Sequence, residues 1–296
     1  METAFTPAEG GAKDTNFTRK HSLNLGGRLH VLNRPWVMGI LNLTHDSFHA
    51  ASRATHEKQI REKLREMIKA GADMIDLGAA SSRPGAALSE PASEMESLKP
   101  ALEILRTEYP GLPVSVDTYW SDVARFAIDH GAHLINDISG GSIDQKMFLT
   151  AAELKVPYVL MHIKGKPQDM QHNPGYNDVF REVCYYFSDK LSQLLELGMN
   201  DIILDPGFGF GKTVEHNYDL FNHLPDFQMF GRPLLVGISR KSMINKVLDI
   251  SSQQALNGTT VLNTMALMRG ASLLRVHDVK EAVEAVKLVT FTQNLP

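Results

Sequence analysis

Three polar residues that follow short apolar runs have side chains suited to bind a flat, nitrogen-rich ring. Asp117, Asn136 and Asp205 each stand at or just beyond the end of such a run. Two carboxylates and an amide, partly withdrawn from water, complement a heterocycle that is rich in N–H donors. The sequence therefore predicts a pocket for such a ring if the fold brings the three residues together.

Four basic residues, Arg83, Lys241, Arg275 and His277, form a second group, whose chemistry suits phosphate. We expect Lys241 and Arg275 to lie at a solvent-open surface, so that their removal spares the fold. Asp278 is expected to cap the helix that follows it, which would place His277 beside a positive helix end. A donor-rich ring that carries a phosphate group is the ligand that both groups indicate.

Short apolar runs alternate with amphipathic segments from residue 37 onward, and this alternation must position both groups. The apolar runs are Val37–Leu41, Met74–Leu77, Val114–Val116, Leu134–Ile135, Tyr158–Met161, Ile202–Leu204, Leu234–Val236 and Leu273–Val276. Helical patterns cover Glu57–Ala70, Ala92–Thr107, Asp122–His130, Gln145–Leu154, Asp178–Leu197, Asn217–Leu224, Gln254–Met268 and Val279–Thr290. This succession predicts an α/β fold, a closed (β/α)8 TIM barrel, with a doubly wound open sheet as the alternative.

The barrel prediction explains why polar residues follow the apolar runs, because barrel enzymes carry their active site at the C-terminal ends of the strands. The loops after the seventh and eighth strands are also where barrels commonly hold phosphate. Residues 1–20 are expected to form a flexible tail, and residues 21–296 the single barrel domain. A small hairpin that turns at Gly26 and Gly27 is expected to close the bottom of the barrel.

The composition excludes several classes of protein. With 43% hydrophobic and 22% charged residues, the chain is typical of a globular protein, and its net charge of −4 argues against a nucleic-acid binder. Cys184 is the single cysteine, so a disulfide framework is excluded. The sequence shows neither a signal-peptide layout nor an apolar run of about 20 residues. We therefore expect a cytoplasmic protein without nucleic-acid or membrane partners.

The motifs at the predicted strand ends resemble those of the dihydropteroate synthases, the folate-biosynthesis enzymes of the pterin-binding barrel family. The resemblance runs from about Val37 to Val286. It rests on seven motifs that occur in order, each at a strand end: residues 38–42, 82–85, 115–118, 136–138, 205–207, 239–242 and 275–278.

The resemblance implies an enzyme, a transferase that joins 4-aminobenzoate to 6-hydroxymethyl-7,8-dihydropterin diphosphate and releases diphosphate, with Mg²⁺ as cofactor. It further implies a homodimer and a sulfonamide target. The residues that would bind the pterin are Asp117, Asn136, Asp205, Lys241, Met161, Phe210 and Arg275.

The remaining roles are also implied by the resemblance. Asn42 would be the protein's magnesium ligand, and the diphosphate would be held by Asn42, Ser82, Arg83, Arg275 and His277. The aminobenzoate pocket would be lined by Phe48, Ser82, Arg83, Pro84, Lys241 and Ser242. Asp117, Lys241, Arg83 and Arg275 would carry the catalysis, with Asp117 stabilising a cationic pterin methylene.

The chain departs from the family pattern in its first two loops. His45 stands where the family usually has Pro, and Ala50 and Ala80 stand where it has carboxylates; Ser82 replaces Thr and keeps the hydroxyl. These changes affect how the loops close and leave the predicted pterin pocket intact.

Two other functions share parts of this pattern. A methyltetrahydrofolate-dependent methyltransferase would have a similar pterin edge, but it handles no diphosphate and should lack the basic group. A non-catalytic pterin-binding derivative is suggested by Ala50 and Ala80, whereas Asn42, Arg83 and Lys241 argue against it.

A third similarity is to a nucleotide-binding loop. Gly207–Thr213 follows a strand and ends in Gly-Lys-Thr, but it lacks the glycine spacing of a P-loop. We expect its glycines to provide backbone flexibility around the pterin pocket. For the homodimer, Val261, Leu262, Met265 and Met268 are apolar candidates on the seventh predicted helix.

Overall fold

A parallel sheet forms the centre of the computed structural model, which describes residues 21–43, 53–80, 88–165, 170 and 174–295. A hairpin of β1 (His21–Leu25) and β2 (Arg28–Leu32) precedes the sheet. The sheet strands are β3 (Trp36–Asn42), β4 (Met74–Gly78), β5 (Val114–Asp117), β6 (Leu134–Asp137), β7 (Tyr158–Met161), β8 (Ile202–Asp205), β9 (Leu235–Val236) and β10 (Leu273–Val276).

The sheet closes on itself. Its strands pair in parallel in the order β8-β7-β6-β5-β4-β3-β10-β9. A parallel bridge between Leu204 and Leu234 joins the two ends of this order. The predicted (β/α)8 TIM barrel is confirmed, and the open doubly wound sheet is excluded. Each predicted apolar run coincides with one strand, because strands buried on both faces are mainly apolar.

The helices of the described residues alternate with the strands and cover the outside of the barrel. They are α1 (Arg53–Ala70), α2 (Pro91–Glu108), α3 (Ser121–Asp129), α4 (Met147–Leu154), α5 (Val179–Glu196), α6 (Val214–Asn222), α7 (Ser242–Leu248), α8 (Leu256–Met268) and α9 (Val279–Gln293). Helix α7 is absent from the sequence prediction. It has seven residues, of which only Met243 and Ile244 are buried, so it is too short to show a clear apolar period.

The bottom of the barrel is filled as predicted. Leu23, Leu25 and Leu32 of the hairpin pack with the interior residues at the start of the strands, including Met74 and Leu273. The hairpin turns through Gly26 and Gly27, which have φ of 59° and 80° and therefore suit a tight two-residue turn. The barrel and the hairpin share this core.

The expected 1–20 tail lies outside the described residues. In the part of the chain that the structure describes, no helix is long and apolar enough to cross a membrane.

Candidate active site

The upper layer of the barrel interior is polar. Side chains along a strand alternate between its two faces, so residues two positions beyond the apolar bottom layer face the same interior. Met74, Leu134, Val159, Ile203 and Leu273 belong to that bottom layer. The upper layer, two residues further along the same strands, consists of Asp76, Asn136, Met161, Asp205 and Arg275, with Asp117 from β5. The fold thus brings the predicted ring-binding residues together.

Arg275 is the centre of a buried ionic network in this layer. Its Nε donates to Asp76 Oδ2 at 2.6 Å, and its Nη2 donates to Asp117 Oδ2 at 2.5 Å. Asn136 Nδ2 also donates to Asp76 Oδ2, at 3.1 Å. The Arg275 side chain is 15% exposed, and that of Asp76 is 0% exposed. The expectation that Arg275 lies in open solvent was therefore wrong, since two carboxylates on neighbouring strands bind it inside the barrel.

Asp76 is a site residue that the sequence reasoning missed. It lies inside the apolar run Met74–Leu77, whereas only residues that follow the runs were considered. A carboxylate within a buried strand is costly unless it is paired, and this signal would have identified it. Its Oδ1 is buried without a hydrogen-bond partner among the described residues, so the carboxylate retains acceptor capacity.

Burial and close charges shift the pKa values of this layer. Burial raises the pKa of Asp117 to about 7, against the opposing effect of Arg275. Burial also raises the pKa of Asp205, while Lys241 opposes the shift. The pKa of Lys241 falls to about 8, mainly because of burial. Asp117 and Lys241 therefore titrate near neutral pH, so ligand binding can change their charge.

The turn after β8 brings a cation and an aromatic ring beside Asp205. Asp205 Oδ1 accepts from the amide of Gly207 at 2.8 Å. Lys241 Nζ donates to the carbonyl of Phe208 at 2.6 Å and lies 4.5 Å from the centre of the Phe210 ring. Lys241 is half-buried, at the residue that precedes α7.

Gly237 leaves open the space between these groups. A Cβ at Gly237 would lie 3.8 Å from Arg275 Cβ and 4.0 Å from both Asp205 Oδ2 and Lys241 Nζ. Any side chain there would fill the region on which the ionic groups converge.

One wall of the site is apolar. Met161 and Phe210, the predicted ring-packing residues, belong to one buried cluster with Tyr119, Ile138 and Ile163. This cluster lies at the C-terminal ends of the strands and is separate from the outer core. An apolar wall beside carboxylate, amide and ammonium groups suits a flat ring with a polar edge.

The predicted phosphate-binding residues are at the rim. Asn42 ends β3 and is exposed. Its Oδ1 and Asp117 both border Gly78, within 3.5–3.7 Å of a Cβ built there. His277 is also exposed, and its Nδ1 lies 3.0 Å from Ser239 Oγ. Loss of hydration and the charge of Arg275 lower the pKa of His277 to about 4, so it is neutral at pH 7 without ligand.

Asp278 does not cap α9, which corrects the sequence prediction. No side-chain cap bond is present at this helix start. Instead, Asp278 accepts two hydrogen bonds from Arg240, at 2.9 and 2.7 Å. A bidentate arginine pair is stronger than a single cap bond and also fixes the loop between β9 and α7. Ser242 is exposed at the first position of α7.

Several predicted site residues lie outside the described residues. These are Phe48, Ser82, Arg83 and Pro84, on the loops after β3 and β4. Ala50 lies there too, whereas Ala80 is described and packs against the apolar wall.

The sequence and fold of the chain are similar to those of known proteins. The family model described as pterin binding enzyme matches residues 38–277. The dihydropteroate synthase of Escherichia coli strain K12 is 43% identical over 265 residues, which cover 88% of this chain and 93% of that relative.

Two solved structures are also similar to this chain. A Yersinia pestis dihydropteroate synthase in a sulfonamide drug complex has a TM-score of 0.87 at 39% identity, covering 93% of this chain and 100% of that chain. A Xanthomonas albilineans dihydropteroate synthase in complex with 7,8-dihydropteroate has a TM-score of 0.83 at 33% identity, with the same two coverages.

Proposed function

The chain belongs to the dihydropteroate synthase family of pterin-binding enzymes, and we propose that it joins 4-aminobenzoate to 6-hydroxymethyl-7,8-dihydropterin diphosphate. The chain is thus an enzyme, a transferase of folate biosynthesis. The products are 7,8-dihydropteroate and diphosphate. The observation that carries the proposal is the polar upper layer of the barrel, which combines ring acceptors with cations beside an apolar wall.

The pterin ring is proposed to bind in this upper layer. Its N–H groups donate to Asp205, and Asn136 pairs with a further polar atom at the ring edge. The ring faces pack against Met161 and Phe210, with Arg275 on the opposite side. The positive charges of Lys241 and Arg275 offset much of the negative charge of the three carboxylates in this layer. The pocket therefore suits a neutral ring.

Asp117 is proposed to assist departure of the diphosphate. When the bond between the pterin methylene and the diphosphate oxygen breaks, its electron pair leaves with the diphosphate and positive charge develops on the methylene. A carboxylate close to that carbon stabilises the charge, and the low polarity of the pocket strengthens the effect. The aminobenzoate nitrogen then forms the new C–N bond and loses one proton.

Magnesium fits the residues at the rim only if the diphosphate supplies most of the coordination. Among the described residues no group of three His, Cys, Asp or Glu could hold a metal ion. Asn42 offers one exposed amide oxygen beside Asp117. Mg²⁺ often takes few protein ligands and completes its shell with water and phosphate oxygens. Asn42 would hold the ion, which would neutralise charge on the leaving diphosphate.

The remaining roles at the rim are also proposals. His277 and Arg275, with Ser82 and Arg83, would hold the diphosphate. Ser242 and Lys241 would border the aminobenzoate pocket, together with Phe48, Ser82, Arg83 and Pro84. The sulfonamide complex of the Yersinia pestis relative supports the expectation that sulfonamides compete for this pocket.

A homodimer is proposed through the outer faces of α8 and α9. Val261 and Met268 are 50% and 69% exposed, and Leu288 and Phe291 on α9 are 68% and 67% exposed. Leu262 is buried inside the protein and is therefore no candidate. Sedimentation of the wild type and of a Met268→Glu, Phe291→Glu variant tests this surface.

A cytoplasmic location is proposed from the near absence of cysteine.

Diphosphate release tests the proposed function. The purified protein, Mg²⁺ and the pterin diphosphate are mixed with and without 4-aminobenzoate, and released diphosphate is measured. The proposal expects turnover that requires aminobenzoate and is lost in Asp205→Asn. A protein that binds the pterin but releases no diphosphate would be a non-catalytic derivative and would refute the assignment.

A further inference from the structure

Lys212 is a buried lysine that the proposed chemistry does not use. It is the lysine of the glycine-rich segment Gly207–Thr213, which resembles a phosphate loop, yet it is only 3% exposed and lies inside the protein. Its ammonium donates to three backbone carbonyls: those of Gly207 at 2.8 Å, Phe210 at 3.0 Å and His162 at 3.3 Å. An ammonium has three N–H donors, so these carbonyls satisfy it completely.

The three carbonyls belong to two loops that approach each other closely. Gly207 and Gly211 have φ of 69° and 62°, a region that favours glycine. A Cβ at Gly207 would lie 1.9 Å from the carbonyl oxygen of His162, and one at Gly211 would lie 2.3 Å from that of Lys164. The turn after β8 is therefore pressed against the loop after β7. Buried carbonyl oxygens that converge in this way require a donor between them.

The same turn supplies three contacts to the proposed pterin pocket. The amide of Gly207 donates to Asp205 Oδ1 at 2.8 Å. The carbonyl of Phe208 accepts from Lys241 at 2.6 Å. The ring of Phe210 forms part of the apolar wall. A displacement of the turn would move each of these groups relative to the ring.

Lys212 also places positive charge behind Asp205. The charged groups that act on Asp205 are Lys241, Arg275 and Lys212, and all three lower its pKa against the effect of burial. Burial lowers the pKa of Lys212 well below its usual value, while Asp205 raises it and Lys241 lowers it. The His162 ring lies near the same lysine, and its pKa is lowered well below the usual value by burial and by Lys212. Three carbonyl acceptors are the partners of a protonated amine, because a neutral amine has only two N–H groups.

We propose that Lys212 is a positioning residue for the pterin: its ammonium holds the turn from Gly207 to Phe210 in place beside Asp205. The lysine touches neither substrate nor metal and acts through Asp205, Phe208 and Phe210. In a phosphate loop the lysine binds phosphate, whereas Lys212 binds backbone carbonyls of its own protein. This inference rests on the pterin pocket of the proposed function.

Calorimetry with 6-hydroxymethyl-7,8-dihydropterin, which carries no phosphate, tests the proposal between pH 6 and 9. The proteins are the wild type, Lys212→Met and the control Lys164→Met, which removes a lysine on the adjacent loop that pairs with Glu182. Lys212→Met should bind the pterin at least tenfold more weakly at pH 7.5. The loss should grow as the pH falls, because Asp205 without Lys212 takes up a proton at higher pH. Lys164→Met should bind as the wild type does.

The steady-state constants give a second readout. In Lys212→Met, KM for the pterin diphosphate should rise about tenfold, while KM for 4-aminobenzoate stays within twofold. Lys212→Arg, which keeps the charge, should retain the pH dependence of the wild type. A lower melting temperature with unchanged pterin affinity and pH dependence would overturn the proposal. If the wild type itself bound no pterin, the proposed function would fail instead.

If Lys212→Met does not fold, ¹⁵N NMR of the wild type tests the proposal instead. Lysine ammonium groups that are buried and hydrogen-bonded exchange slowly and give ¹⁵N signals, and Lys241→Met separates the signal of Lys241 from that of Lys212. The Lys212 signal should be that of a protonated amine at pH 7.5 and should shift when pterin is added. A neutral amine, or a signal that pterin does not move, would contradict the proposal.

Discussion

Replacing Arg275 by Met should destabilise the protein in a way that depends on pH. Arg275 neutralises Asp76, which is 0% exposed, and Asp117, whose side chain is 13% exposed. Each charge-assisted hydrogen bond contributes about 1.5–3 kcal/mol, and removing one partner of a buried ion pair costs about 3–5 kcal/mol. We expect the free energy of unfolding at pH 7.5 to fall by about 3–5 kcal/mol, which lowers Tm on the order of 10 °C.

The sign of the pH dependence follows from Asp117. Its pKa in the folded wild type is about 7, against 3.8 without the fold, so its contribution to stability is present at low pH and is lost as the pH rises through 7. Arg275 opposes this shift, so its removal raises the pKa of Asp117 further. The deficit of Arg275→Met relative to the wild type should therefore shrink by about 0.5–0.8 kcal/mol between pH 7.5 and 5.5, because wild-type Asp117 also takes up protons over this range.

Urea unfolding at both pH values measures these differences. The control variant combines Asp76→Asn, Asp117→Asn and Arg275→Met, and it should recover much of the stability because no buried charge remains unpaired. A deficit below about 1 kcal/mol, or one that is equal at the two pH values, would refute the buried network as described.

Three further predictions concern binding and turnover. Asp205→Asn should weaken binding of a non-phosphorylated pterin at least tenfold in calorimetry, because Asn replaces one acceptor by a donor, while affinity for magnesium diphosphate stays unchanged; equal pterin affinity would remove Asp205 from the pocket. Lys241→Ala should abolish turnover with little change in Tm, and a large fall in Tm would indicate a structural role instead. In the wild type, pterin affinity should fall above pH 8, because Lys241, with its pKa of about 8, then loses its proton. Binding of 4-aminobenzoate should tighten when magnesium diphosphate and a pterin are added, because Arg83 is proposed to contact both the diphosphate and the aminobenzoate pocket. Arg83→Ala should remove this gain, and equal affinity under all conditions would refute ordered binding.

The barrel was predictable because its strands are apolar on both faces. Each buried strand produces a continuous apolar run, and the polar residue at its end marks the top of the barrel, as at Asp117 and Asn136. Helix boundaries were less certain, since capping depends on contacts distant in sequence. Helix α6 begins at Val214 because Thr213 and His216 form a capping box, three residues before the apolar pattern suggested.

The site was predicted less completely because its electrostatics depend on partners from distant strands. Asp76 and Arg275 are 199 positions apart in the chain, so neither reveals the other in the sequence. Arg240 and Asp278 pair across 38 positions, and this pair replaces the expected helix cap. The glycine spacing excluded a P-loop, but the contacts of Lys212 were not predictable, because sequence spacing does not show whether a lysine faces solvent or three carbonyls of its own protein.

A crystal structure with the pterin diphosphate and Mg²⁺ would test the central claim most directly. The account predicts that the ring lies in the upper layer of the barrel, with its polar edge on Asp205 and Asn136 and its face on Met161 and Phe210. The diphosphate should lie at the rim between Asn42 and His277. A ring bound outside the barrel, or one whose polar edge contacts neither Asp205 nor Asn136, would contradict the account.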